Sequence, residues 1–88
     1  MKGIRITVFG RVQGVGFRFY TKKKADELHV SGWVKNMPNG SVYIEVEGQD
    51  TDVNTFIDWC NMGTKWAHVE KVDRQDIPVQ GFEGFVVK

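Results

Sequence analysis

Apolar and polar residues alternate from Ile4 to Phe9, with Ile4, Ile6 and Val8 on one side and Arg5, Thr7 and Phe9 on the other. A period of two belongs to a strand with one buried face, so the pattern predicts a first strand here. The period then changes. Phe17, Thr21, Ala25 and Leu28 recur at helical spacing, with Lys22, Lys23, Asp26 and Glu27 on the other side, which predicts an amphipathic helix beginning near Phe17. Val30 to Lys35 reads as a second strand, and NMPNG at 36–40 carries the Asn, Pro and Gly that supply turn dihedrals. Val42, Ile44 and Val46 alternate with Tyr43, Glu45 and Glu47 in a third strand ending at Gly48. From about Asp52, the stripe Val53, Phe56, Ile57 and Cys60 predicts a second helix, with Gly63 as its stop. Trp66 to about Ile77 reads as a fourth strand, in which Val69 and Val72 break strict alternation and imply a bulge. Phe85 to Val87 is a last short strand, expected at a sheet edge.

The order is βαββαβ with a short strand appended. It predicts an α+β fold: a ferredoxin-like sandwich with an antiparallel sheet of four to five strands and both helices on one face. Residues 1–88 are expected to form a single domain, since the chain has room for one core. The handedness of the crossovers permits the third strand to lie between the first and second, which then run parallel as non-neighbours. Their C-terminal ends share one edge of the sheet, and this topology makes Arg18 and Asn36 neighbours.

Composition narrows the function classes. Hydrophobic residues are 41%, charged residues 26% and the formal net charge +1, which is neither a disordered chain nor one with the basic excess of most nucleic-acid binders. The run Lys22, Lys23, Lys24 reads as a solvated helix face. No apolar stretch approaches membrane-spanning length, and the start MKGIRITV is too short and too charged for a signal peptide. Cys60 is the single cysteine and has no partner for an intramolecular disulfide. A cytoplasmic monomer, with no nucleic-acid or membrane partner, is the expectation.

The chemistry centres on GRVQGVGFR at residues 10–18. Glycines at 10, 14 and 16 allow positive φ and remove Cβ atoms, so consecutive N–H groups can converge on one anion. A helix starting at Phe17 adds unpaired donors and a partial positive charge, and Arg18 adds a planar fork suited to two phosphate oxygens. A cation in that first turn opposes the helix macrodipole unless an anion sits between them. Two readings stand: a phosphate cradle, or a plain tight turn with an exposed arginine. The segment lacks the G-K-[ST] of a Walker A loop and does not complete a dinucleotide G-x-G-x-x-G.

GRVQGVGFR, with GWVKN at 32–36 and Gly40, resembles the acylphosphatase family, small enzymes that hydrolyse the carboxyl–phosphate bond of acyl phosphates. The resemblance covers essentially the whole chain. It implies that Arg18 binds phosphate, that Asn36 positions water, and that the backbone of Gln13, Gly14, Val15, Gly16, Phe17 and Arg18 forms the cradle. It also implies a small-molecule acyl phosphate as substrate, with inorganic phosphate as product and competitive inhibitor. One departure is Gly63-Thr64-Lys65, where family members often read Gly-Pro, and this leaves that loop's conformation open. Asn36 has a plainer alternative as a turn residue at the start of the hairpin.

A carboxylate leaving group, whose conjugate acid has a pKa of about 4, scarcely needs a general acid. His29 lies eleven residues beyond Arg18, roughly 16 Å along a helix, too far to take a proton from the attacking water. His68 is expected to have a surface or packing role in the fourth strand, and Cys60 to lie on the apolar stripe of the second helix. No His, Cys or Asp cluster has metal-ligand spacing, so a metal-free hydrolase without cofactors is expected. Two rivals share the topology. An RNA-recognition module would show stacking aromatics in its central strands, and SVYIEVEG at 41–48 lacks that pattern. A non-catalytic phosphate-binding, ligand-binding or protein-interaction domain would have no turnover.

Overall fold

The computed structural model describes residues 1–88. Its elements are β1 (Lys2–Arg11), α1 (Phe17–Leu28), β2 (Ser31–Asn36), β3 (Val42–Gly48), α2 (Asp50–Met62), β4 (His68–Ile77) and β5 (Phe85–Val87). The sheet order is β4-β1-β3-β2-β5, so β3 lies between β1 and β2 as the topology requires. Register follows the hydrophobic pattern: Ile4 opposes Val46, Ile6 opposes Ile44, Val8 opposes Val42, and Val34 meets Ile44 from the other side. These side chains are buried with Phe17 and Ala25 of α1 and with Val53, Phe56, Ile57 and Cys60 of α2, which form one core. Burying a side chain of this size stabilises the fold by roughly 1.5–3 kcal/mol. The other face of the sheet keeps Arg5, Thr7, Trp33 and Tyr43 partly or fully exposed.

The expected bulge is present. Phe9 opposes Lys71 while Gly10 opposes Val69, which leaves Glu70 as the extra residue of β4. Gly10 sits at that step with φ 124°, and a Cβ there would lie 2.2 Å from the His68 carbonyl oxygen. Its glycine character therefore serves strand packing, so only Gly14 and Gly16 are left to shape an anion site.

The sheet departs from the expected wholly antiparallel arrangement, because β5 pairs with β2 in parallel. The cause lies in where the chain emerges. β4 ends at Ile77, opposite Gly3, at the same end of the sheet where β2 begins. Crossing from one edge to the other takes four strand spacings, roughly 19 Å at about 4.8 Å each, which the segment 78–84 can span. β5 then runs alongside β2 towards the end of the sheet that holds Asn36.

Glu47 holds that crossing in place. Alternation puts Glu47 on the outer face of β3, yet it is only 3% exposed. Its carboxylate accepts hydrogen bonds from the backbone N–H groups of Gln80 (2.7 Å), Gly81 (2.9 Å) and Phe82 (2.9 Å). Hydrogen bonds to a charged acceptor are the stronger kind, and removing the acceptor leaves the donors unmet. Glu47→Ala is therefore expected to destabilise the fold by about 2 to 4 kcal/mol. Glu47→Gln, which keeps one acceptor oxygen, should lose less. Urea melts of the two variants check both the magnitude and the order.

Candidate active site

A cavity of about 320 Å³ opens where the turn after β1 meets the C-terminal end of β2, and Gly14, Gly16, Phe17, Arg18 and Asn36 line it together with Phe19 and Val87. Gly14 and Gly16 have φ of 73° and 74°, in the left-handed region that favours glycine. Gly16 caps α1 with no side-chain hydrogen bond, and the first turn holds no acidic residue. The first backbone bond of the helix runs from the Tyr20 N–H to the Gly16 carbonyl at 3.1 Å. The N–H groups of Phe17, Arg18 and Phe19 thus precede the intrahelical ladder. An uncapped, electropositive helix end faces a cavity that also holds a guanidinium.

Arg18 is half-buried. One of its terminal nitrogens, Nη1, donates to the Lys88 carbonyl oxygen at 2.9 Å. Lys88 is itself fixed by its N–H, which donates to the Val34 carbonyl at 2.8 Å. One arm of the guanidinium is thereby anchored to the strand that also carries Asn36 on its far end. The remaining N–H donors of the fork are free for an anion.

Asn36 is the last residue of β2 and pairs with Val42. Its Oδ1 is buried and accepts no hydrogen bond, an arrangement that is costly unless a donor arrives from a ligand or water. The turn work expected of an asparagine is done elsewhere in the hairpin. Asn39 Oδ1 accepts from the Ser41 N–H at 3.0 Å and from the Ser41 hydroxyl at 2.6 Å. The hairpin therefore does not use the Asn36 amide oxygen.

Gln13 and Val15 stand behind the cavity rather than lining it. The Gln13 side-chain amide donates to the carbonyls of Met37 at 2.8 Å and Ser41 at 2.9 Å, bolting the cradle segment to the β2–β3 turn. The Val15 carbonyl accepts from the Thr64 hydroxyl at 3.1 Å. This settles the segment Gly63-Thr64-Lys65: the Gly63 N–H caps α2 by donating to Trp59, and Thr64 braces the cradle from outside.

The remaining candidates lie away from the cavity. His29 terminates α1 in the left-handed region, and His68 is exposed at the start of β4. Cys60 is buried in the core, and burial pushes its thiol well above the usual range, which suits packing and not nucleophilic attack. No three His, Cys, Asp or Glu side chains come together where they could hold a metal ion. Phe19, Val87 and the Lys88 carbonyl were missed from sequence. The last two reach the site only because β5 is parallel to β2, and the βαββαβ pattern carries no signal for that pairing.

Comparison with known proteins gives a consistent result. A family model described as Acylphosphatase matches residues 4–87. An acylphosphatase of Nocardioides sp. is 48% identical over 85 residues, covering 97% of this chain and 86% of that protein. One from Rubrobacter xylanophilus is 43% identical over 88 residues, covering 99% and 80%. Among solved structures, the crystal structure of acylphosphatase from Bacillus subtilis superposes with a TM-score of 0.97 at 34% identity, covering 100% of this chain and 99% of that one.

Proposed function

This chain belongs to the acylphosphatase family and is a hydrolase of the carboxyl–phosphate bond of acyl phosphates, and we propose that Arg18, Asn36 and the backbone of residues 13–18 carry the reaction. The observation that supports this most is the buried, unpartnered Oδ1 of Asn36 in the same cavity as Arg18 and an uncapped helix N-terminus. The donors of Phe17, Arg18 and Phe19 and the Arg18 fork hold the phosphoryl oxygens. They stabilise them more as charge gathers there in the transition state. A water donates one hydrogen to Asn36 Oδ1, and its oxygen is thereby aimed at phosphorus in line with the leaving carboxylate.

No protein base is needed in this scheme. The substrate phosphate, with a second pKa of about 6, takes the proton of the attacking water. The leaving carboxylate departs unprotonated, and both products leave as anions. The reaction proceeds without a metal ion or cofactor, because the positive charge comes from Arg18 and the helix end. Inorganic phosphate occupies the same cradle and competes with substrate. Residues 1–88 act as one monomeric domain. We place the protein in the reducing cytoplasm, in keeping with its one buried cysteine; no helix is long and apolar enough to cross a membrane.

The test is a phosphate-release assay with benzoyl phosphate and an alkyl phosphate ester side by side. The ester expels an alkoxide that must be protonated, and nothing in the cavity supplies that proton. Turnover is expected for benzoyl phosphate and scarcely at all for the ester, with no change after exhaustive chelation. Equal turnover of the two would refute the mechanism, and loss restored by Mg²⁺ or Zn²⁺ would refute its metal independence.

A further inference from the structure

The turn between α2 and β4 forms a fixed platform beside the cradle. The Gly63 N–H donates to the Trp59 carbonyl at 2.7 Å and the Ala67 N–H to the Thr64 carbonyl at 3.1 Å, so the backbone is tied on both sides of Thr64. Gly63 packs closely as well, since a Cβ there would lie 2.9 Å from the Phe17 ring. From this platform the Thr64 hydroxyl donates to the Val15 carbonyl at 3.1 Å.

That carbonyl belongs to the same peptide unit as the Gly16 N–H. The unit is planar and trans, so its C=O and N–H point in opposite directions. The carbonyl is turned towards Thr64, which lines no part of the cavity of Arg18 and Asn36, whereas Gly16 lines it. The Gly16 N–H is thereby aimed at the cavity, and it donates to no backbone carbonyl. Nothing in the cradle's own sequence secures this orientation. A peptide flip turns ψ of residue 15 and φ of residue 16 together, and glycine takes φ of either sign about equally readily. After a flip the Val15 carbonyl oxygen, and not an N–H, would face a bound phosphate.

We propose that Thr64 is a positioning residue for the phosphate cradle: its hydroxyl locks the Val15–Gly16 peptide with the N–H inward, so that the free protein already presents this donor to the phosphoryl group. This rests on the cavity of Arg18 and Asn36 being the hydrolytic site. Without the lock only a fraction of the molecules is competent at any moment, and the apparent affinity falls by that fraction. A ligand that fills the cradle draws the peptide back inward, so the saturated enzyme turns over as before.

Thr64→Val keeps the shape of the side chain and removes the donor. The KM for benzoyl phosphate and the inhibition constant of inorganic phosphate are expected to rise together, by roughly three- to ten-fold, the scale of one neutral hydrogen bond. The kcat should stay within about two-fold of the wild type. Thr64→Ser, which retains the hydroxyl, should restore both constants. Thr55→Val removes an equivalent bond, from the Thr55 hydroxyl to the Thr51 carbonyl at 3.0 Å on α2, and should leave both constants at wild-type values. It stands for a loss of stability alone, which lowers a urea midpoint without moving KM. If Thr64→Val keeps the wild-type KM and phosphate inhibition, if Thr64→Ser is impaired as much as Thr64→Val, or if Thr55→Val shifts the constants equally, the positioning role is wrong although the hydrolytic site stands. If the wild type does not hydrolyse benzoyl phosphate, the hydrolytic reading and the role of Thr64 fall together.

Discussion

Arg18→Lys is expected to lose nearly all turnover even though it keeps the positive charge. The guanidinium uses Nη1 to hold the Lys88 carbonyl at 2.9 Å and still has donors for phosphoryl oxygens, because its five N–H groups lie in one rigid plane. An ammonium is a compact charge on a flexible stem. It can satisfy the Lys88 carbonyl or approach the phosphate, but it cannot present two parallel donors to the phosphate while anchored. A loss of roughly 10³-fold or more in kcat/KM, about 4 kcal/mol of transition-state stabilisation, is the scale for removing a pre-positioned donor that meets developing charge. Arg18→Ala should lose as much or more. Both variants should fold, since the side chain is half-buried and sits outside the core. Inorganic phosphate should raise the melting temperature of the wild type, because it binds only the folded cradle, and should raise that of either variant much less. A Lys variant with substantial activity would remove Arg18 from the reaction.

The part of this site that was legible in the sequence was the part written in local pattern. Alternation in β1 and β3 and the stripe Phe17, Thr21, Ala25 located the strand, the turn and the helix start within a residue or two. Topology then brought the ends of β1 and β2 together, and Arg18 and Asn36 line one cavity as that argument required. What the pattern missed depends on contacts between distant segments. Glu47 alternates outward by the rule for a strand, but a loop from residues 80–82 folds over it and turns a surface carboxylate into a buried clasp. That loop delivers β5 in parallel to β2, and only then do Val87 and Lys88 reach the site.

Two glycine and amide assignments show the same limit at smaller scale. Gly10, Gly14 and Gly16 look equivalent in sequence, yet Gly10 is required by a bulge in a strand that arrives some sixty residues later. Gln13 belongs to the cradle segment, but its side chain faces the hairpin carbonyls of Met37 and Ser41. It acts by holding the segment of Arg18 and the end of β2 in a fixed relation, and this could not be read from the residues of either segment alone.

Asn36→Ala separates catalysis from folding more cleanly than any other substitution in this chain. The amide oxygen is buried without a partner, and the hairpin is secured by Asn39 on Ser41, by Gln13, and by the backbone bonds of Met37 and Gly40. Removing the amide therefore breaks no hydrogen bond between Oδ1 and the hairpin, so the urea midpoint should stay near that of the wild type. Turnover should behave in the opposite way. Water that no longer donates to Oδ1 must find the in-line direction by chance, and kcat is expected to fall roughly 10²-fold or more, about 2.7 kcal/mol. KM should change little, because the phosphate is held by Arg18 and the backbone donors and not by Asn36, and inhibition by inorganic phosphate should persist for the same reason. Asn36→Asp sharpens the test: the carboxylate can still accept from water, yet it brings a negative charge beside the phosphate and should raise KM as well as lower kcat. A turn role would give the reverse of all this, namely a midpoint lowered by around 1 kcal/mol with kcat close to wild type once folded protein is counted. Kinetics and a urea melt on one preparation of Asn36→Ala decide between them, and a normal kcat with a lowered midpoint would end the catalytic assignment of this residue.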